Sequence, residues 1–536
     1  SVAALKVLFV TSECAPFAKT GGLGEVVGAL PKALRRHGLD VRVIMPLYAG
    51  MPWQQFEPLE GVLSVPMWFG TAYARVRLSR LPRSEVPVYF LEHHRYFDRP
   101  YLYGPPPEAY PDNLERFAFL SRGALELVKA LGWIPDVIHA HDWQTSLAPV
   151  YADTVEWAQP LHGSASVYTV HNLAYQGVFD GGAFPVTGLG PEHYHPREFE
   201  HFGTVNLTKA ALYRSTMLTT VSPTYAREIQ TGAYGCGLDG ILAERRDDLV
   251  GVLNGIDVEE WDPTTDPHLA APFDAEDLRG KARCKAALQQ EAALPVRSDV
   301  PLLALIARLV PQKGVDVFAE ALETILTWDV QVVMLGSGEA DAERFFTARA
   351  RAASDRFCAW FPFDDARAHR VQAGADFFVM PSRFEPCGLS QLYAMRYGTL
   401  PIVRATGGLV DTVTSYDEAT AAGTGFVFHD LRADSLADTV GWAVSTWYDR
   451  PAHLDLMRRR VMAQDHSWDR AARTYTALYL AAYARRRGHA FPLPADVAAE
   501  EAPAGTRLPP RRASRAPRTR TPDSETGLRS RSSDGR

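Results

Sequence analysis

Lys6-Val-Leu-Phe-Val-Thr-Ser-Glu-Cys-Ala-Pro-Phe-Ala-Lys19-Thr-Gly-Gly-Leu-Gly-Glu-Val-Val-Gly-Ala-Leu30 opens the chain. The apolar, β-branched run from Val7 to Val10 is the pattern of a strand buried in a parallel sheet. A short turn follows, then Lys19-Thr20-Gly21-Gly22-Leu23-Gly24, then apolar residues at helical spacing: Val26, Val27, Leu30 and Leu34. Glycines at a strand-to-helix turn let the backbone approach a ligand closely, and the free N–H groups of a helix start favour negative charge. Glycines alone would more simply solve a packing problem. Lys19 adds a mobile point charge at the same spot and turns the reading toward a phosphate or diphosphate cradle.

The alternation continues along the chain. Candidate strands fall at 6–12, 41–47, 62–69, 73–81, 86–91, 136–140, 165–170, 216–221 and 249–253. Those between 62 and 91 are closely spaced with Pro and Gly between them, which predicts antiparallel additions to a parallel core. Asn254-Gly255 leads into a Pro- and Asp-rich passage, and a helix follows near 276–292. A second alternating series has strands near 302–307, 330–335, 357–361, 376–380, 400–403 and 425–428. This spacing predicts an α/β protein with two doubly wound domains joined near 255. Ligands of such sheets lie beyond the carboxyl ends of the strands, here between the two sheets. The expected division is 1–255, 256–467, a last helix over 468–490, and a basic tail over 491–536. The tail is Pro, Ala, Arg, Ser and Thr without a period and buries too little apolar area to offset its ordering entropy, so disorder is expected there.

A chain of 536 residues is too long for one core. With 46% apolar and 22% charged residues it has an ordinary globular composition. The net charge of −7 argues against a general nucleic-acid binder. Five scattered cysteines (14, 236, 284, 358 and 387) have no ligand spacing, so neither a disulfide framework nor a zinc site is expected. No stretch reaches the apolar length of a membrane helix, and the first apolar run belongs to the first strand rather than to a signal peptide. A reducing, cytoplasmic setting is the expectation.

Lys19-Thr-Gly-Gly-Leu-Gly-Glu-Val-Val-Gly-Ala-Leu-Pro31 resembles the amino-terminal signature of bacterial glycogen synthases and plant starch synthases. The resemblance runs on through His139-Ala-His-Asp-Trp143, Tyr168-Thr-Val-His-Asn-Leu-Ala-Tyr-Gln-Gly177, Thr220-Val-Ser-Pro-Thr-Tyr-Ala-Arg-Glu-Ile229 and Leu253-Asn-Gly-Ile-Asp257. It takes in Ala307-Arg-Leu-Val-Pro-Gln-Lys-Gly314 and the stretch from Gly374 to Gln391, in the family order, over roughly residues 5–490. The resemblance implies a GT-B fold, two Rossmann-like domains facing a deep cleft, with the last helix crossing back to the first domain. The implied reaction is retaining transfer of glucose from ADP-glucose to the non-reducing end of an α-1,4-glucan.

Such a transfer breaks the bond from the anomeric carbon to a phosphate oxygen, so cations and N–H donors must meet charge that grows on the leaving diphosphate. By the resemblance Arg308 and Lys313, after strand 302–307, reach that diphosphate with Lys19, and Gly21 and Gly22 line it. Glu385 resembles the carboxylate that holds sugar hydroxyls, and the N–H groups of Gly388, Leu389 and Ser390 face phosphate and sugar at a helix start. Many related transferases carry a second acid eight residues on, but Tyr393 stands there. His171 matches the histidine near the glucosyl group. Asn254 and Glu25 are ribose candidates, with Glu25 where the family usually has Asp. Asp142 is a candidate for sugar or acceptor contact, and Trp143, Tyr175 and Phe179 are candidates for stacking on the acceptor. No Asp-x-Asp occurs, so no metal and no cofactor is expected.

Three other readings compete. A glucan phosphorylase would share the fold but use pyridoxal phosphate, and the signature set argues against it. A non-catalytic glucan-binding homologue would have lost a diphosphate residue, yet Lys19, Arg308, Lys313 and Glu385 are all present. A UDP-glucose-using synthase stays open, because Trp360-Phe-Pro-Phe363-Asp-Asp365 departs from the usual stretch near the base pocket, where Phe363 is expected to line an adenine-sized slot.

Overall fold

The computed structural model describes residues 4–158 and 160–492, so the tail from 493 onward, expected to be disordered, lies outside the described residues. In chain order the strands of the first half are β1 (Lys6–Val10), β2 (Asp40–Pro46), β3 (Glu57–Pro58), β4 (Leu63–Met67), β5 (Gly70–Arg80), β6 (Pro87–Glu92), β7 (Val137–His141), β8 (Ala165–Val170), β9 (Val178–Asp180), β10 (Glu200–His201), β11 (Thr204–Asn206), β12 (Met217–Thr220) and β13 (Leu249–Gly251). Those of the second half are β14 (Leu302–Leu309), β15 (Gln331–Gly338), β16 (Phe357–Trp360), β17 (Phe377–Met380), β18 (Leu400–Arg404) and β19 (Phe426–Phe428).

The first sheet has the order β13-β12-β8-β7-β1-β2-β6-β5-β3, with β4 paired to β5. Seven of these strands, β13 through β6, run parallel. The antiparallel edge expected between 62 and 91 is present in β4 and β5, but β6 lies parallel to β2 and belongs to the core. The two-residue edge strand β3 has no period to read and is fully exposed. The second sheet, β16-β15-β14-β17-β18-β19, is parallel throughout.

Strand order decides where a ligand can sit. In the first sheet the winding reverses at β1, which has β2 on one side and β7 on the other. In the second it reverses at β14, between β15 and β17. Crevices open at such switch points beyond the carboxyl ends of the strands. The segments after β1, β7, β14 and β17 carry Lys19, Asp142, Lys313 and Glu385.

Three apolar clusters are present. The first lies between residues 5 and 252 and adds Trp468, Tyr475, Tyr479 and Tyr483, the second runs from Ile256 to Met462, and the third, from Ala140 to Leu249, takes in Cys387 of the second half. The helix Asp469–Arg487 therefore packs on the first half, with the Tyr479 hydroxyl 2.7 Å from His139 Nδ1. Phe491 lies edge-on to Tyr483, so the segment assigned to the tail begins with a packed residue. The chain passes between halves at 253–256 and again at 463–468. The crossings touch, because the Ile256 N–H donates to the His466 carbonyl at 2.8 Å.

Candidate active site

The link from β1 to the helix Gly22–Arg36 is eleven residues, 11–21, not the short turn read from the sequence. It folds back through a bridge between Cys14 and Ala18, and the Ala15 N–H donates to the Gly24 carbonyl at 2.9 Å. Glu13 clamps its far end. The buried carboxylate accepts the Thr20 N–H at 2.5 Å, the Thr20 hydroxyl at 3.0 Å and the Tyr103 hydroxyl at 2.5 Å. Burial pushes the Glu13 carboxyl above its usual range against the pull of these donors. A Cβ on Gly24 would stand 2.6 Å from Lys19 Cβ, so that glycine is needed for packing. Gly21 has nothing within 4 Å of its Cβ position and faces open space.

Lys19 Nζ lies 2.6 Å from Glu25 and 3.5 Å from Asp365 of the second half. Partial burial would lower its pKa, but Glu25, Asp365 and Glu260 outweigh this and hold the ammonium above the usual lysine range. Glu25, a ribose candidate, is thus engaged by Lys19. Gly22 confronts Leu389 across the cleft, the leucine Cδ1 being 4.0 Å from the glycine's Cβ position. The two glycine turns therefore face each other.

On the second half Lys313 Nζ donates to both oxygens of Glu385, at 2.8 and 2.9 Å. Glu385 is only 4% exposed and also accepts the Ser382 hydroxyl at 2.8 Å. The Arg308 side chain, exposed at the end of β14, makes no hydrogen bond or ion pair among the described residues. Gly388 has φ +77°, in the left-handed region, at the turn into the helix Ser390–Arg396. The N–H groups of Gly388 and Leu389 likewise have no partner among the described residues. Gln391 ties this turn down, its Nε2 donating to the carbonyls of Cys387 and Gly388 at 3.0 and 2.9 Å. Asn254 lies near the same turn, where its backbone N–H lowers the Cys387 thiol against the rise that burial gives it.

In β7 and just after β8 lies a chain of three buried imidazoles. His139 Nε2 is 2.6 Å from the Thr169 hydroxyl, the rings of His139 and His141 stack at 4.1 Å, and His141 Nδ1 is 2.9 Å from His171 Nε2. Burial lowers all three; His139 and His141 fall well below the usual histidine value and His171 falls to about 3. His171 is therefore neutral at neutral pH, with Nδ1 unpartnered among the described residues. Asp142 has φ +59° and accepts the backbone N–H of His171 at 2.7 Å and that of Asn172. Burial pushes its carboxyl up to about 7. Its visible part is to shape the turn that carries His171. The Asn172 side chain donates to Gln312 of the second half at 3.2 Å.

The aromatic candidates separate. Tyr175 is 53% exposed, whereas Trp143 and Phe179 are partly buried and lie edge-on to each other, with Trp143 also edge-on to Phe117. Phe363 is 46% exposed, and its N–H donates to the Ser337 hydroxyl at 2.8 Å. Sequence reading passed over Glu13, His141, Gln312 and Gln391. Glu13, His141 and Gln312 act through contacts that their own neighbours in the chain do not announce, and Gln391 bonds the turn just before it.

Two facing α/β sheets with parallel cores, and a glycine-lined cleft that carries Lys19, Arg308 and Lys313, define a glycosyltransferase of the GT-B fold. Residues 6–244 match the starch synthase catalytic domain and residues 288–455 match glycosyl transferases group 1. Glycogen synthase 1 of Geobacter metallireducens is 50% identical over 488 residues, 90% of this chain and 97% of that one. Glycogen synthase of Anaeromyxobacter sp. (strain Fw109-5) is 48% identical over 480 residues, 89% of this chain and 99% of its own. The catalytic domain of starch synthase IV from Arabidopsis thaliana, solved with ADP and acarbose, superposes with a TM-score of 0.84 at 34% identity, covering 90% of this chain and 100% of that one. The chain belongs to the glycogen and starch synthase family, and it is a glucan synthase. The phosphorylase reading falls away with that assignment.

Proposed function

We propose that the chain transfers glucose from ADP-glucose to the non-reducing end of an α-1,4-glucan, with retention at the anomeric carbon and release of ADP. The observation that carries this is the pairing of Lys313 with the buried Glu385 carboxylate beside the Gly388 turn, facing the Lys19 loop across the cleft. Support also comes from relatives named glycogen synthase and from a similar starch synthase bound to ADP and acarbose.

As the bond to the phosphate oxygen lengthens, negative charge grows on the diphosphate and positive charge on the sugar ring. Lys19, Arg308 and Lys313 stabilise the leaving group, with the N–H groups of Gly388, Leu389 and Ser390, and fill the place a divalent cation holds in metal-dependent transferases. Gly21 and Gly22 leave the phosphates room, and Asn254 and Glu25 hold the ribose. Glu385 holds sugar hydroxyls and offsets charge on the ring. His171, kept neutral by burial, orients the glucosyl group through Nδ1 instead of donating a proton. Tyr175 is the aromatic that offers a free face to the acceptor. The five cysteines are all free, which supports a cytoplasmic setting, and among the described residues no helix is long and apolar enough to cross a membrane.

The test is incorporation of labelled glucose into glycogen from ADP-, UDP- and GDP-glucose at subsaturating donor. ADP-glucose is expected to be the preferred donor. Comparable rates with ADP- and UDP-glucose would overturn the donor assignment, and no incorporation from any donor would overturn the reaction.

A further inference from the structure

Glu260, Asp365 and His369 present one ligand atom each, all within 4.8 Å of one another, at the edge of the cleft. Asp365 and His369 are one turn apart on the helix Asp365–Gly374, so they share a face, and Glu260 comes from the segment just after the first crossing. Two exposed carboxylates prove nothing alone. The imidazole supplies the independent observation.

His369 is 1% exposed and its Nε2 is buried without a partner, 3.9 Å from the Glu260 carboxylate. Its other nitrogen, Nδ1, is 2.7 Å from Asp266, which also accepts from the Tyr397 hydroxyl. Trp261 stacks on the ring at 3.7 Å and 8° and prevents it from turning. Asp266 occupies Nδ1, which leaves Nε2 as the free nitrogen beside Glu260, in the same cluster as Asp365. Metal-bound histidines are held in this way by the groups around them.

We infer that Glu260, Asp365 and His369 form a site for a divalent cation of the zinc class. Imidazole with carboxylates suits Zn2+ or Co2+ over Mg2+. Ligands at about 2.0–2.1 Å around a tetrahedral ion stand about 3.4 Å apart. The exposed Glu260 side chain can close the remaining gap, and water completes the shell. This cation is not the one displaced by arginine and lysine at the leaving group; its ligands are Glu260, Asp365 and His369, and none of these is a residue assigned to the diphosphate. Lys19 and the cation therefore share Asp365, and the ammonium 3.5 Å away opposes binding.

The experiment titrates the chelator-treated full chain with Co2+, followed by visible absorption, and then displaces Co2+ with Zn2+. One equivalent is expected to bind, with a hundredfold excess of Mg2+ failing to displace it. Glu260→Gln and Asp365→Asn, both at exposed positions, should each weaken binding at least tenfold. Asp266→Asn should weaken it tenfold to a hundredfold by loosening the imidazole. Lys19→Ala should tighten it. Binding that is absent in the parent chain, or equal in the parent and the Glu260→Gln and Asp365→Asn variants, would overturn the assignment.

Discussion

Lys313 and Glu385 hold each other at 2.8 and 2.9 Å, so a diphosphate that takes up the ammonium competes with a buried carboxylate. Removing Lys313 also strands that carboxylate, whereas the Arg308 side chain is exposed and free of partners among the described residues. Arg308→Ala is therefore the cleaner probe. A charge-assisted hydrogen bond is worth about 1.5–3 kcal/mol and about 1.36 kcal/mol is tenfold in rate, so its turnover should drop at least roughly tenfold. Its unfolding midpoint should stay put. Unchanged turnover with ADP-glucose would remove Arg308 from the leaving-group site. Asp142 permits a second test. Its folded pKa of about 7 lies above the unfolded value, so the folded chain binds the extra proton and that stabilisation is lost as pH rises from about 4 through 7. Asp142→Asn keeps the acceptor for the N–H of His171 but cannot ionise. Relative to this variant, the parent should lose on the order of 4 kcal/mol of unfolding free energy between pH 4 and pH 8, read from denaturant titrations. A constant difference would refute the raised pKa. Lys19, Arg308 and Glu385 stand out in the sequence as candidates because each lies in a long specific motif. Glu13 was not, although it lies in the opening stretch, because its partners Thr20 and Tyr103 are gathered by the fold of a loop.

At the scale of elements, β7 and β8 deliver His139, His141 and His171 to one buried row, and this row sets an acid limit on the fold. All three have folded pKa values below the unfolded one, so the unfolded chain alone takes up protons as pH falls below about 6.5. Stability contributed by the neutral row is complete above that pH and fades toward pH 3. His171→Gln should flatten the pH dependence of unfolding near pH 5 by about one proton, or about 1.4 kcal/mol per pH unit. Parallel slopes for parent and variant would show that His171 titrates normally in the folded chain. Periodicity located the parallel strands to within a few residues, since a strand buried on both faces is a continuous apolar run. It failed where no period exists. The exposed pair Glu57–Pro58 is too short, and the eleven-residue link after β1 owes its length to the Cys14–Ala18 bridge and the Glu13 clamp. Pairing direction was also hidden. β6 resembles its antiparallel neighbours in spacing but docks parallel on β2.

Over the whole molecule, the cleft works only if the two halves keep one relative position. Ser222, Thr224 and Glu228 of the first half bond Pro386, Asp411 and Gly407 of the second, and the two crossings meet at Gly255. Asn254-Gly255 marks the first crossing in the sequence, while the second has no comparable turn signature. A Cβ on Gly255 would stand 2.6 Å from the Ser467 carbonyl oxygen, 2.8 Å from its carbon and 2.9 Å from the His466 carbonyl oxygen. All three atoms are backbone, so no rotamer relieves the clash and the Ile256–His466 hydrogen bond must give way. Gly255→Ala should therefore cost about 1–3 kcal/mol, as overpacking does, and should lower turnover by shifting Lys19 relative to Lys313. Gly21→Ala is the counterpart: its φ of −173° is extended and its Cβ meets nothing. Stability should be unchanged there, while the Michaelis constant for ADP-glucose rises because the methyl group enters the space left for phosphate. Urea midpoints and donor kinetics on both variants separate the two roles. A stable, fully active Gly255→Ala would show that the crossings do not hold the sheets in register.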